Sequence, residues 1–315
     1  MGGASPCFPL LPSPFSPLIM RTPAPEYLIR QRLSALGRAL PAAKAGDATS
    51  LHQARVATRR LREALPVIGS STRAEKLSRS VRRLTRALGP VRELDVELII
   101  LDELEKSGDV PYAAIDRLRA SIIEERQRLQ ADVRDHIDDF DIDKLRKRAL
   151  SVARKQADDK RPRDGQGTAH TRDRIARRAR RLAAAIDNAA GLYLPDRLHE
   201  VRIAVKKLRY TLELTPRAGS GRTAGRIRTL KNAQDQLGRM HDLEVLIART
   251  RGIQSSPGAS TLKVSADLDR LVRRLETECR QLHGHYMAAR PTLVLLCHRL
   301  MTAGKARERA RSSAA

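Results

Sequence analysis

Residues 51–65 read LHQARVATRRLREAL, and residues 198–212 read LHEVRIAVKKLRYTL. In register, Leu51, His52, Arg55, Ala57, Leu61, Arg62 and Leu65 recur as Leu198, His199, Arg202, Ala204, Leu208, Arg209 and Leu212, while Arg59 and Arg60 are answered by Lys206 and Lys207. At about 100° per residue, Ala54, Ala57, Leu61, Ala64, Leu65 and Ile68 gather on one side of a helix. His52, Arg55, Arg59 and Arg62 gather on the other, with Arg60 on the flank. The second copy repeats this with Val201, Ala204, Val205, Leu208 and Leu212 against His199, Arg202, Lys206 and Arg209. Each copy therefore predicts an amphipathic helix that presents a histidine and three cations as one stripe. A polar bundle face is ordinarily just solvated, but such faces mix both signs. Here the only acid near the first stripe is Glu63, and its counterpart is Tyr210. Packing alone would keep the leucines and let the arginines drift, so the repeated stripe is read as a functional surface.

The bulk composition agrees with a helical protein built for a polyanion. Of 315 residues, 41% are apolar but only 3% aromatic, with no tryptophan, which suits bundles packed by Leu and Ala. The net charge of +25 repels itself in a compact chain and implies a partner such as nucleic acid, anionic membrane or a phosphate polymer. Arginine outnumbers lysine, and guanidinium forks match phosphate oxygens two at a time. Cys7, Cys279 and Cys297 show no paired spacing, so free thiols in a reducing, cytoplasmic setting are expected. No apolar run reaches the roughly 18 residues of a membrane span, so no membrane partnership is expected.

Along the chain, residues 1–25 are rich in proline, glycine and serine and are expected to form a disordered leader, within which Met20 is a candidate start. A first helix is expected over 26–43, and the stripe helix follows, with Asp47 or Ser50 as its N-cap. A third helix spans 72–88, Gly89 and Pro90 are expected to interrupt it, and a buried helix resumes over 91–106. A long helix over 112–137 leads to Asp132, Asp135, Asp138, Asp139, Asp141 and Asp143, an acidic cluster expected to mark the joint between halves or to meet a neighbouring basic helix. After a helix over 143–156 and a loop over 157–168, the plan restarts. The helix over 170–190 parallels the first, Asp196 opens the second stripe, and 222–238 parallels the third helix. Aligning Leu88-Gly89 with Leu237-Gly238 sets Arg79 opposite Arg228, Arg82 opposite Lys231, Leu94 opposite Leu243 and Val96 opposite Val245. It also sets Arg83 opposite Asn232 and Arg86 opposite Asp235, which weakens those two arginines as site candidates. A helix over 261–285, a final helix opening at Pro291 and a basic frayed tail over 304–315 complete the reading. The expected fold is all-α: two tandem four-helix bundles, about 26–140 and 141–303, related by internal duplication with a pseudo-twofold axis and a basic groove between or across them.

The H-x-x-R-x-x-x-[RK]-[RK]-x-R pattern at His52–Arg62 and His199–Arg209, followed by LGPVRELDV in one half and LGRMHDLEV in the other, resembles the CHAD family, the conserved histidine alpha-helical domain. The resemblance covers about 26–302. It implies two four-helix bundles whose basic residues line a shared groove, binding of inorganic polyphosphate, and recruitment to polyphosphate granules. Many relatives carry a CYTH phosphatase domain ahead of this one; the short leader has no room for it, so the chain resembles the stand-alone type. The turns depart from the family pattern at Glu93 and at His241, which stands where the first half has Arg92.

Polyphosphate carries about one charge per phosphate and no bases, so its receptor needs dense cationic donors and no stacking platform. Binders of single-stranded nucleic acid lean instead on aromatic stacking of about 1–3 kcal/mol per base, and only Tyr210 lies beside a stripe here. The expected binding set is His52, Arg55, Arg59, Arg60, Arg62, Arg79, Arg82, His199, Arg202, Lys206, Lys207, Arg209, Arg228 and Lys231. Nucleic acid held through its backbone is the alternative partner. No cofactor, metal or catalysis is expected: His241-Asp242 alone is a thin echo of a metal phosphohydrolase dyad, His283 and His285 do not share a helix face, and no phosphate-cradling glycine loop or nucleophile elbow occurs.

Overall fold

The computed structural model describes residues 25–68, 72–159, 166–215, 220–255 and 262–312, and all regular structure among them is helical. The elements are α1 (Pro25–Lys44), α2 (Ala48–Ile68), α3 (Thr72–Ser107), α4 (Tyr112–Asp138), α5 (Ile142–Asp159), α6 (Gln166–Asn188), α7 (Pro195–Glu213), α8 (Gly221–Gln254) and α9 (Leu262–Ser312). Residues 1–24, 160–165 and 313–315, which hold nearly all of the expected leader, the middle of the expected loop and the end of the expected tail, lie outside the described set. The ends of that loop belong instead to α5 and α6, and the tail expected to fray from 304 is helical to Ser312. Of the two candidate caps for α2, Asp47 is the one used: its Oδ2 accepts the Ser50 N–H at 2.7 Å, just after Gly46 has turned the chain with φ of 98°.

The helices pack around three cores, an arrangement consistent with two bundles and a third core that joins them. The first core packs α1, α2, the N-terminal half of α3 and α5, with Leu36, Leu61, Leu84 and Ala149 at its centre. The second packs α6, α7, the N-terminal half of α8 and the C-terminal half of α9 around Leu182, Val205, Leu230 and Leu293. The third brings the C-terminal halves of α3 and α8 against α4 and the N-terminal half of α9, through Leu101, Ile115, Leu246 and Leu271. Helices α3, α8 and α9 thus each run from their own bundle into common ground. Packing is similar in the two halves and consistent with a duplicated plan, except that the single helix α9 stands where the first half has α4 and α5. One hydrogen bond repeats as well: Arg32 Nη1 donates to Arg60 O at 2.9 Å and Arg178 Nη1 to Lys207 O at 2.5 Å.

Three expectations are corrected by this packing. Pro90 does not interrupt α3, nor does Pro291 open a new helix; both sit inside continuous helices. An internal proline costs about 3 kcal/mol, whereas each fully buried large apolar side chain contributes about 1.5–3 kcal/mol. Leu84, Leu88, Val91 and Leu94 flank Pro90 in the cores, and Tyr286 and Leu293 flank Pro291, so anchoring on both sides outweighs the local break. The acidic cluster does not separate the halves either. Leu145, Ala149 and Val152 of α5 belong to the first core, so the first bundle extends past residue 140. The acids serve the α4–α5 corner: Asp141 Oδ1 accepts the Lys144 N–H at 2.7 Å, and Asp138 pairs with Lys44 at 2.5 Å.

Candidate functional site: a cationic cleft between the halves

Helices α2 and α7 meet across the junction of the two bundles, and their stripes face each other over one cleft of about 540 Å³. From α2 come His52, Arg55, Arg59 and Arg62; from α7 come His199, Arg202, Lys206 and Lys207. The middle parts of α3 and α8 supply the remaining polar wall, with Arg92, Glu93 and Glu97 on one side and His241 and Asp242 on the other. At Gly89 a Cβ would stand 2.9 Å from Arg55 Nη1, so the glycine lets that arginine lie close against α3, whereas a Cβ on Gly238 would make only ordinary contact with Arg202 Nε at 3.9 Å. Arg55 Nη1 there donates to Thr85 O at 3.3 Å.

Every acid in the cleft wall already has a cationic partner. Glu63 reaches α6, where Arg178 and Arg174 stand 3.0 and 3.6 Å away. Glu97 is held by Arg249 at 2.5 Å. Glu93 lies 3.5 Å from Arg55 and Asp242 3.9 Å from Arg202. Among the described residues, Arg59, Arg62, Arg92, Lys206 and Lys207 form no ion pair with a carboxylate. The tyrosine that lines the cleft, Tyr210, is engaged by two guanidinium groups, Arg209 at 4.5 Å and Arg59 at 5.8 Å from its ring centroid.

Crowded like charges and burial act together on the titratable groups. Burial, then the neighbouring Arg59, Arg202 and Arg55, push the Lys206 ammonium down to about 7. Burial, Arg202, His199 and Lys206 push His241 down to about 4. His199 and His52 are lowered for the same reasons, burial first. His199 and His241 also approach through their Nδ1 atoms at 3.3 Å. That contact is a hydrogen bond only while one of the two nitrogens is unprotonated. Because folding lowers the Lys206 pKa from 10.5, its cost to stability is present in full below about pH 7 and disappears above 10.5. Lys206→Met is therefore expected to stabilise the free protein by about 1–3 kcal/mol near pH 6.5 and by much less near pH 10. Urea unfolding at the two pH values checks this.

The family model of the CHAD domain matches residues 27–251. This chain belongs to the CHAD family. A CHAD domain from the plant Ricinus communis has the same fold, with a TM-score of 0.61 and 21% identity over 87% of this chain and 90% of the plant one. PptA from Streptomyces chartreusis is similar too, at TM-score 0.61 and 17% identity over 85% of this chain and 98% of PptA. Among curated proteins, none matches the sequence significantly.

In this CHAD protein the expected site residues separate into three groups. His52, Arg55, Arg59, Arg62, His199, Arg202, Lys206 and Lys207 converge on the cleft. Arg79 and Arg82 instead line a different groove, between α3 and α5. Arg60, Arg228 and Lys231 are exposed and line neither, while Arg209 is turned to Glu213, Gln234 and Tyr210. Arg92, His241 and Asp242 were not among the expected binding residues. The register that aligns Gly89 with Gly238 contains the signal for them, since it sets Arg92 opposite His241 and Glu93 opposite Asp242. Among the described residues no group of three His, Cys, Asp or Glu side chains is placed to hold a metal ion. His283 packs edge-on against Tyr193 at 5.3 Å, and Cys279 and Cys297 are buried free thiols.

Proposed function

We propose that the cleft binds inorganic polyphosphate and that this binding recruits the protein to polyphosphate granules in the cytoplasm, without hydrolysing the polymer. The observation that carries this reading is the convergence of the α2 and α7 stripes on one trough whose acids are already paired. A net positive wall of guanidinium and ammonium groups offers many donors to phosphate oxygens and none specific to a base. Arg202 Nε is in addition a buried donor with no acceptor in the protein, and an entering phosphate oxygen is a fitting partner for it. The ring of Tyr210 already has cations on it, so it is poorly placed to stack a nucleobase. No described helix is long and apolar enough to cross a membrane.

Competition separates this reading from a nucleic-acid scaffold. With labelled polyphosphate bound at physiological salt, duplex DNA of matched total charge is expected to displace it poorly, whereas unlabelled polyphosphate displaces it fully. Equal displacement by both would make the protein a general charge sponge and defeat the proposal. Incubation of polymer, protein and Mg²⁺ or Mn²⁺ is expected to release no inorganic phosphate.

A further inference from the structure

We propose that the groove between α3 and α5 is a second polyanion site, which takes a further stretch of the phosphate chain seated in the cleft; this rests on the polyphosphate reading above. The groove has a volume of about 1130 Å³ and is floored by Leu77, Leu145, Phe140 and Val152. Its walls carry Lys76, Arg79 and Arg83 from α3 and Lys144, Lys147 and Arg148 from α5, all exposed. None of these six forms an ion pair with a carboxylate among the described residues.

The seam shares that lack of pairing with the cleft, whereas other cations close by are matched. Neighbouring cations on the same helices and on α1 do find acids: Arg146 pairs with Asp143 at 2.9 Å, Arg30 with Glu26 at 3.0 Å and Arg154 with Glu26 at 3.3 Å. The acids of the groove, Asp139 and Asp141, leave its cations unmatched, and Asp141 is committed to capping α5. Two helices whose apolar sides share a core thus bring two rows of like charge together along a concave seam. The resulting repulsion opposes the packing and is relieved by a polyanion laid between the rows. The second half reproduces the feature only in part: Arg79 and Arg82 are answered there by Arg228 and Lys231, but Arg83 and Arg86 by Asn232 and Asp235. An incomplete repeat counts against membership of the shared cleft but not against a separate site.

Continuity with the cleft comes from Arg62, Arg82 and Arg86. Arg62 lines the cleft, Arg82 and Arg86 line the groove, and both lie close enough to Arg62 to oppose its charge. A flexible chain leaving the cleft past Arg62 therefore meets cations without a gap. Engagement of the second site is then intramolecular, so it multiplies affinity for chains long enough to reach it and adds nothing for shorter ones.

The test compares chains of about ten and about one hundred phosphates on the full protein, on a groove variant (Lys76→Ala, Arg79→Ala, Arg83→Ala, Arg148→Ala) and on a cleft variant (Arg55→Ala, Arg59→Ala). The groove positions are exposed and unpaired, and an unchanged thermal melt verifies folding; Lys144→Gln with Lys147→Gln is a second, milder probe of the same seam. The groove variant is expected to lose about tenfold or more in affinity for the long chain while its tight binding of the short chain stays within twofold. The milder variant should fall between. Cleft substitution should weaken both chain lengths. Long-chain binding by the groove variant equal to wild type, with the cleft variant impaired, overturns the second site alone. Failure of the wild type to bind either chain overturns the polyphosphate reading and the second site with it. A groove variant that loses affinity for duplex DNA but not for polyphosphate assigns the seam to nucleic acid and likewise overturns it.

Discussion

Replacing Arg55, Arg59, Arg202 and Lys206 together by alanine is expected to weaken polyphosphate binding by about 10³- to 10⁴-fold. Hydrogen bonds to charged groups contribute about 1.5–3 kcal/mol each, and four that share one polymer do not add fully. A total near 4–6 kcal/mol remains, at 1.4 kcal/mol per tenfold change. All four side chains line the cleft from opposing helices, and none belongs to a core cluster, so the fold should survive. Losing Arg59 and Lys206 relieves repulsion, while losing Arg55 and Arg202 removes their contacts with Glu93 and Asp242, so the unfolding midpoint should shift little. The salt dependence gives an independent reading: a single-stranded polyanion contributes about 0.7 to the log-log slope per neutralised phosphate. If the wild type neutralises about ten phosphates the slope is near −7, and the variant should be shallower by about 3. The charge-matched control removes Arg38, Arg60, Arg228 and Lys231, four exposed cations that do not line the cleft. It should cost only a few-fold, as befits distant screened charges. Equal losses in the two variants would show that net charge alone drives binding.

This contrast between converging and scattered cations marks how far the sequence could be read. The stripes were legible because identity and spacing recur together, and helical phase alone places His52, Arg55, Arg59 and Arg62 on one side. Which side of α3 faces the cleft was not legible. Arg79 and Arg92 lie on one 36-residue helix, about 20 Å apart along its axis at 1.5 Å per residue. Periodicity identifies both as polar positions without saying that one end of the helix belongs to the first bundle and the middle to the cleft. That division follows from the third core, where Leu94, Leu101 and Leu104 find α4, α8 and α9. The apolar run over 91–106 announced burial, but nothing local in it named those partners. Pro90 and Pro291 misled for the same reason: proline is a local signal, and the side chains that overrule it are contributed by distant segments. Glu63 and Tyr210, legible only as the exceptions in their stripes, tie the halves together, one through Arg174 and Arg178 and the other beneath Arg59.

Binding is expected to take up protons, and the pH dependence has a definite sign. In the free protein Lys206 is held down at about 7 by burial and by Arg59, Arg202 and Arg55, with only Asp242 acting the other way. A polyanion in the cleft adds negative charge beside it and moves it back toward its ordinary value. For a group whose pKa rises on binding, affinity is greatest below the free value and falls as pH climbs from the free to the bound value. Affinity should thus decline above about pH 7 with a slope approaching tenfold per pH unit, about 100-fold by pH 9 if the bound Lys206 regains two units or more. His199 and His52, lowered by burial and nearby cations, should add a further gain below neutrality, and His241 a smaller one that extends toward its free value of about 4. Protonation of both His199 and His241 breaks their mutual hydrogen bond, so the cleft walls should separate slightly as the polymer takes over as acceptor. Titration calorimetry at pH 8 in buffers of different ionisation enthalpy should report uptake of about one proton per bound chain. Long chains should be used, because terminal phosphates with a pKa near 6 are then too few to contribute. Lys206→Met should abolish the uptake at pH 8, match the wild type near pH 9 and fall behind it near pH 6.5. An apparent heat that does not change with buffer, or an affinity flat between pH 7 and 9 in the wild type, would mean that the chain passes Lys206 by and that the trough is filled from the α2 side alone.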